Sequence, residues 1–308
     1  MTLYHPNDPS HFQHRNQLLQ TCLRPDPLPF PIEQEYPIVL APEGRSFSFC
    51  HDFQNQLCSH ANLWPRKVLD TLGTEQFPVG LVGNVATDPR WRGHGHMRSL
   101  LTAVEEIARE SQLEALFLWS DLSSFYQKLG YLSVGQEYHF HFLESRPAKK
   151  QKTQARLVKM ATVDLTDEIL KNMLRTRCEV SLTLGRSLED FRQLLKIPWL
   201  ELYIAWESGD IVAYTLLGKG YDMMGVIHEW GAEDPIFLLD LIHFIRREKS
   251  MPQCMLLAPA ELDPSWHQDF LEEASAVEAL PMALVKVLHA SRSREELQNL
   301  FIWGLDSI

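Results

Sequence analysis

Between Val82 and Ser111 the chain reads VGNVATDPRWRGHGHMRSLLTAVEEIARES, and its hydrophobic period changes halfway. The residues up to Thr87, in FPVGLVGNVAT, suit a strand. From Gly95 onward Met97, Leu100, Leu101, Val104, Ile107 and Ala108 fall on one face of a helix ending near Ser111. The turn between them gathers Arg90, Arg92, His94, His96 and Arg98 around Gly93 and Gly95, in a chain of formal charge -11. A helix start leaves backbone N–H groups without partners and carries the positive end of the helix dipole. Glycines there let the main chain approach a bulky anion with no Cβ in the way. A pyrophosphate is the natural guest, and the basic side chains offset the repulsion of an acidic protein. A basic helix start on a solvated surface has the same spelling, and the loop alone does not separate the two. A dinucleotide fingerprint would need glycine where Arg98 stands, and a P-loop would need G-K-[ST].

The rest of the chain narrows the setting. Its 308 residues suffice for two ordinary domains. No apolar run approaches the ~18 residues of a membrane span, and MTLYHPNDPSHF lacks the basic flank and apolar core of a signal peptide. Cys22, Cys50, Cys58, Cys178 and Cys254 are scattered with no C-x-x-C, so reduced thiols in a cytoplasmic protein are expected. A pI near 5.6 argues against a nucleic-acid partner and favours cationic ones such as amines. No membrane partner is expected, and the oligomeric state is not legible.

Along the chain, a helix over 10–23 and the proline-rich RPDPLPFP precede three alternating segments, SFSFC, QLCSHANLW and FPVGLVGNVAT, read as neighbouring antiparallel strands. After the helix, ALFLW suits a strand buried on both faces, SSFYQKLG a short helix stopped by Gly130, and YHFHFLE an outer strand. The basic stretch at 146–155, with no apolar side chain larger than those of alanine and proline, is expected to be a linker between a first domain at 1–145 and a second at 156–308. The second half repeats a similar order of strands and helices, so the halves read as divergent copies of one mixed α/β unit.

The strand ending V-A-T-D-P, the R-x-x-G-x-G loop (Arg90, Gly93, Gly95), the following helix and F-Y-x-K-L-G-Y over Phe125 to Tyr131 together resemble the acetyl-CoA-dependent GNAT N-acetyltransferase superfamily. The resemblance is strong from Val82 to Tyr131 and extends weakly, as an order of segments, over both halves. It implies an α/β (mixed, α+β-like) fold of two tandem GNAT-like domains, each a mostly antiparallel splayed central sheet flanked by helices, with the second copy degenerate. It also implies direct transfer of an acetyl group from acetyl-CoA to a primary amine. A catalytically silent acyl-CoA sensor or scaffold is the other reading.

Carried onto this sequence, the resemblance has Val85, Ala86 and Thr87 bonding the pantetheine arm through their backbone. Arg90, Arg92, Gly93, His94, Gly95, His96 and Met97 would hold the pyrophosphate, while Trp119, Ser120 and Asp121 line the opposite lip. Asp121 is also a candidate for the acceptor. Tyr126 would donate a proton to the departing sulfur; the plainer reading is a packing aromatic, like Phe125. Many relatives carry a glutamate on the strand corresponding to VGNVAT. Here Asn84 stands in that neighbourhood, and an amide takes no proton at neutral pH. A water chain, an acid from elsewhere or the C-terminal carboxylate of Ile308 are the alternatives.

His139 and His141 share one strand face but lack a third metal ligand, so solvent or the acceptor cleft is expected there. His94 and His96 are likewise explained by an anion, and no metal is expected. In GVIHEWGAEDP, the second half's counterpart of the loop, Glu233 and Asp234 would repel a pyrophosphate. His228 and Glu229, within an apolar strand, either bind the acceptor or pair internally. FIWGLDSI is apolar enough to be a packed strand.

Overall fold

The computed structural model describes residues 2–4, 9–24, 26, 28–41, 45–53, 56–290 and 292–308. The first part of the chain forms β1 (Thr2–Tyr4), α1 (Pro9–Leu23), β2 (Phe47–Phe53), β3 (Gln56–Asp70), β4 (Glu75–Thr87), α2 (His96–Glu110), β5 (Ala115–Leu118), α3 (Ser123–Gln127) and β6 (Leu132–Val134). Next come β7 (Glu137–Leu143), β8 (Arg156–Met160), α4 (Asp167–Thr176), β9 (Leu182–Leu184), α5 (Leu188–Leu194), β10 (Glu201–Glu207) and β11 (Asp210–Leu217). The remainder is β12 (Val226–Ala232), α6 (Pro235–Glu248), β13 (Gln253–Pro259), α7 (Pro264–Glu273), β14 (Ala276–Leu280), β15 (Ala283–Val287) and β16 (Leu300–Phe301).

Two compact units result. The first comprises residues 1–134, 282–298 and 306–308; the second comprises 135–281 and 299–305. In the first, the strand order is β1-β2-β3-β4-β5-β15-β6, antiparallel except for the parallel pair β4/β5. In the second it is β14-β7-β13-β12-β11-β10-β8, with β12/β13 the parallel pair. Read from opposite ends, the two orders share one plan. A strand from the other half of the sequence, β15 in one sheet and β7 in the other, fills the place next to each parallel pair's later strand.

This plan changes two expectations. The segment YHFHFLE is no outer strand: β7 is hydrogen-bonded on both edges, to β13 and β14, in the second unit's sheet. Phe140 and Phe142 explain its position, since both are fully buried. The stretch 146–155, expected to be a linker, forms no helix or strand but belongs to the second unit and is tied down there. The buried carboxylate of Asp240 on α6 accepts the N–H groups of Lys152 (2.8 Å) and Thr153 (2.8 Å). Glu273 on α7 pairs with Lys149 (2.6 Å) and Lys152 (3.1 Å). The units therefore divide at residue 135, ahead of the basic stretch, and residues 282–298 return to the first unit.

The core of the first unit lies where α2 packs on its sheet. Leu100, Leu101, Ala103, Val104 and Ala108 of the helix meet Ala61 and Leu63 of β3, Val82 of β4 and Leu116 and Leu118 of β5. The predicted apolar face of α2 is thus the buried one, and the helix ends at Ser111, whose N–H bonds the Ile107 carbonyl. All four residues of β5 are buried, which is why its sequence shows no alternation.

Candidate active site

The glycine-basic loop occupies the place read from the sequence, between the end of β4 and the start of α2. A short 3₁₀ turn at Pro89–Trp91 is capped by the Asp88 side chain, which accepts the N–H of Arg90 (2.9 Å). Gly93 (φ 82°) and Gly95 (φ 84°) are both left-handed, a conformation that costs any residue with a Cβ. Nothing lies within 4 Å of where a Cβ would stand on either one. Gly95 is the N-cap of α2 and has no side chain with which to cap the first helical turn. Open space over two left-handed glycines and a helix start that no side chain caps together fit a phosphate group.

The side chains around the loop divide by what they touch. Arg92 donates from Nε to the Thr87 carbonyl (3.2 Å), fixing the loop to the strand end. His94 Nδ1 bonds the carbonyls of Trp91 (3.2 Å) and Arg92 (3.0 Å), and its ring stacks on His96 at 5.9 Å. Met97 packs against the core, so its share in the loop is its backbone. Arg90 is engaged by Asp88, with Nη2 to Oδ2 at 2.6 Å, and the pair lines a pocket of about 310 Å³ with His14, Leu18 and Leu57 of the same unit. Its charge is therefore offset within the loop, and Arg92 is the better placed of the two arginines.

Beside the loop the parallel pair comes apart. β4 and β5 pair at Val79/Ala115, Gly80/Leu116 and Leu81/Phe117, and there the register stops although β4 continues to Thr87. The edge of β4 from Val82 to Thr87, including Val85 and Ala86, has no partner on the β5 side among the described residues. On its other edge β4 stays paired to β3, with a bulge between the pairs Asn62/Gly83 and His60/Ala86. Asn84 makes that bulge with φ 50°, a conformation asparagine tolerates better than most residues. Its carbonyl bonds His60 Nδ1 (2.9 Å), while both polar atoms of its buried amide have no hydrogen-bond partner. An orphaned amide at the mouth of a parted strand pair suits a polar, extended ligand arm. Gly83 is required for a different reason: a Cβ there would stand 2.6 Å from the Ile308 carbonyl carbon.

Tyr126 lies in α3, buried within the core that holds α2. Phe125 (5.1 Å) and Tyr131 (5.7 Å) meet its ring edge-on. Burial pushes its phenol up to about 12, opposed by a hydrogen bond with the Ser120 side chain. Ser120 also accepts the N–H of Leu122 (3.1 Å), so the residues just past β5 form a turn holding the tyrosine. Asp121, in that turn, is exposed.

The corresponding place in the second unit is closed. β12 and β13 pair only at Val226/Met255 and Ile227/Leu256, and β12 carries a register shift at His228 where β4 carries its bulge. The free edge is taken by the chain itself, since Arg177 forms an antiparallel bridge to Gly231. At the start of α6 the Asp234 side chain accepts the Ile236 N–H (2.9 Å), a capping carboxylate where α2 has bare glycine.

His228 and Glu229 are fully buried in this unit. Arg186 grips Glu229 with two hydrogen bonds of 2.7 Å, and His228 Nε2 bonds the Gly218 carbonyl (2.9 Å). They are internal partners, and an acceptor amine would have to displace Arg186 to reach the carboxylate. His139 is also in the second unit, half-buried and paired with Glu137 (2.7 Å), while His141 lies 3.6 Å from Glu278. Sequence reading missed Tyr131, the Asn84 bulge and Arg177. A tyrosine within F-Y-x-K-L-G-Y was visible, but the bulge and the bridge depend on pairing partners distant in sequence.

A parted parallel strand pair ending beside a glycine-lined helix start can seat an extended ligand arm that ends in phosphates. Residues 4–133 match the family model for the acetyltransferase (GNAT) domain, and the chain carries a GNAT domain there. No curated protein matches the sequence. Among solved structures, the chain resembles a probable N-acyltransferase from Enterococcus faecalis (TM-score 0.68, 16% identity), covering 91% of this chain and 71% of that one. A GCN5-related N-acetyltransferase from Anabaena variabilis is similar at a TM-score of 0.66 and 13% identity, covering 92% and 72%. A tandem GNAT protein from the clavulanic acid biosynthesis pathway gives 0.59 and 12%, covering 94% and 99%. These likenesses establish a GNAT fold over nearly the whole chain. No helix among the described residues is long and apolar enough to cross a membrane.

Proposed function

We infer that this protein moves an acetyl group from acetyl-CoA to a primary amine by direct attack, using a single site in its first unit. One contrast carries the reading. The first unit keeps an uncapped, glycine-lined helix start beside an unpaired strand edge, while the second unit fills both places with its own Asp234 and Arg177. Backbone N–H groups from Gly93 to Met97, with Arg92 and His94 beside them, would hold the pyrophosphate. The edge of β4 at Val85, Ala86 and Thr87 would bond the pantetheine arm, and Asn84 lies beside it.

When bound, acetyl-CoA supplies a thioester carbonyl open to an amine and a thiolate leaving group. Tyr126 holds its phenolic proton at neutral pH, so it can act as an acid toward a departing sulfur. The strongly acidic chain favours the approach of cationic amines. Soluble expression in the cytoplasm is the working expectation.

The test is release of free thiol from acetyl-CoA in the presence of polyamines, aminoglycosides, amino acids and peptides. The doubly substituted Gly93→Asp/Gly95→Asp protein, folded as judged by circular dichroism, should lose both coenzyme binding and thiol release. No release by the wild type with any amine would sink acetyl transfer. Undiminished coenzyme binding by the double variant would sink the site.

A further inference from the structure

Three side chains that the acyl-transfer reading does not need as a group converge beside the loop. His51 comes from β2, Cys58 from the facing strand β3, and His96 is the first residue of α2. One potential ligand atom from each lies within 4.8 Å of the other two. The Cys58 sulfur is 3.5 Å from His51 Nδ1, and the rings of His51 and His96 are 4.5 Å apart. Around a tetrahedral zinc, with bonds of about 2.3 Å to sulfur and about 2.0–2.1 Å to nitrogen, sulfur and nitrogen stand about 3.5 Å apart. The Cys58–His51 spacing already has that value, and His96 offers a nitrogen within 4.8 Å of both.

The local backbone explains the convergence. Pairing of β2 with β3 shifts register between His51 and Asp52, opposite the segment from Leu57 to Ser59, and this bulge sets Cys58 against His51. The helix start then delivers His96 to the same spot. Cys58 is buried, while His51 and His96 are half-buried, so an ion has a route in from the histidine side.

We propose that His51, Cys58 and His96 form a binding site for a divalent transition metal of the zinc class, with three protein ligands and a fourth position for water. One thiolate and two imidazoles are a donor set that favours zinc over magnesium or calcium, which take oxygen ligands. On binding, the thiol proton leaves to solvent and the sulfur forms a bond to the metal. The S–H group donates to the His51 carbonyl at 3.0 Å in the metal-free protein, and that hydrogen bond is given up. A neutral imidazole is ready to ligate, while the thiol must lose its proton. The sequence explains His94 and His96 by an anion alone, because His51 and Cys58 lie on earlier strands and nothing local joins them to His96.

The experiment uses the full chain stripped with a chelator, titrated with Zn²⁺ by calorimetry and with Co²⁺ by absorption spectroscopy. Wild type should take up one ion per chain, and its cobalt form should show a thiolate-to-metal band with the intense d–d bands of four-coordination. Cys58→Ser and His51→Asn should each weaken binding by at least about 100-fold, since even an outer-shell partner is worth about 10–100-fold. Cys58→Ser should also remove the thiolate band, whereas Cys178→Ser should keep it. No uptake by the stripped wild type would overturn the site. So would unchanged affinity in His51→Asn, or a thiolate band persisting in Cys58→Ser. His51→Asn decides the matter if the buried Cys58→Ser protein fails to fold.

Discussion

Tyr126 carries its proton at neutral pH as any tyrosine does, and its phenol, packed against Phe125 and Tyr131, is placed to give a hydrogen bond or proton to a neighbouring anion. Tyr126→Phe removes only the hydroxyl, so the core packing and the coenzyme site should survive. Turnover should fall by about 100-fold or more with coenzyme affinity unchanged, measured by thiol release alongside calorimetry. His228 is the opposite case. Burial, reinforced by the charge of Lys219, lowers it to about 3 from an ordinary 6.5. The unfolded chain therefore takes up a proton below pH 6.5 that the folded chain refuses. Its share of stability is complete above that pH and is lost as pH falls toward the folded value, by about 2 kcal/mol near roughly pH 5. Urea unfolding at a series of pH values should show this slope, to which the buried His60 adds a share of its own, and His228→Asn should make it shallower without abolishing it.

At the scale of elements, two helix starts that occupy matching places in the two sheets have opposite chemistry. Gly95 leaves the start of α2 bare and adopts φ 84°, so Gly95→Ala should strain the turn by about 1–2 kcal/mol. It should also weaken coenzyme binding, as equilibrium titration would show. In the second unit, β12 is stabilised by a buried bidentate pair instead of a ligand. Arg186→Leu would strand the Glu229 carboxylate away from water, at a cost of about 3–5 kcal/mol. Arg186→Leu combined with Glu229→Met should recover much of that loss, because an apolar pair needs no desolvated charge. Denaturant unfolding of both variants checks the pair's role. Equal stability of the single and double variants would count against it.

For the whole molecule, the exchanged strands have the largest consequence. β15 lies between β5 and β6 in the first unit's sheet and supplies hydrogen bonds to both. A fragment of residues 1–145 therefore lacks an interior strand of its own sheet and carries β7, whose partners are elsewhere. Such a fragment should be largely unfolded by circular dichroism or recovered only as aggregate, whereas the full chain folds. The basic stretch 146–155 makes a second prediction at this scale. Asp240→Ala removes the acceptor of two backbone N–H groups and should speed tryptic cleavage at Lys149, Lys150 and Lys152. Gel analysis of a timed digest measures it, and an unchanged rate would mean the lysine–Glu273 pairs alone hold the stretch.

Local signals were sufficient for much of this protein. The face of α2, the buried strand β5 and the glycine turn follow from the periods of Leu100 to Ala108, the run ALFLW and the spacing of Gly93 and Gly95. Each depends on residues within one or two turns of chain, as do the carboxylates of Glu233 and Asp234 that stand where the first half has its basic loop. What only the tertiary structure decided involves partners far apart in sequence. The transfer of β7 and β15 between sheets, the Arg177 bridge, the grip of Arg186 on Glu229 and the meeting of His51 with His96 are of this kind. A hydrophobic pattern states which face of a strand is buried, but it says nothing of which neighbour does the burying. Hydrogen-bond and ligand geometry are settled by that neighbour.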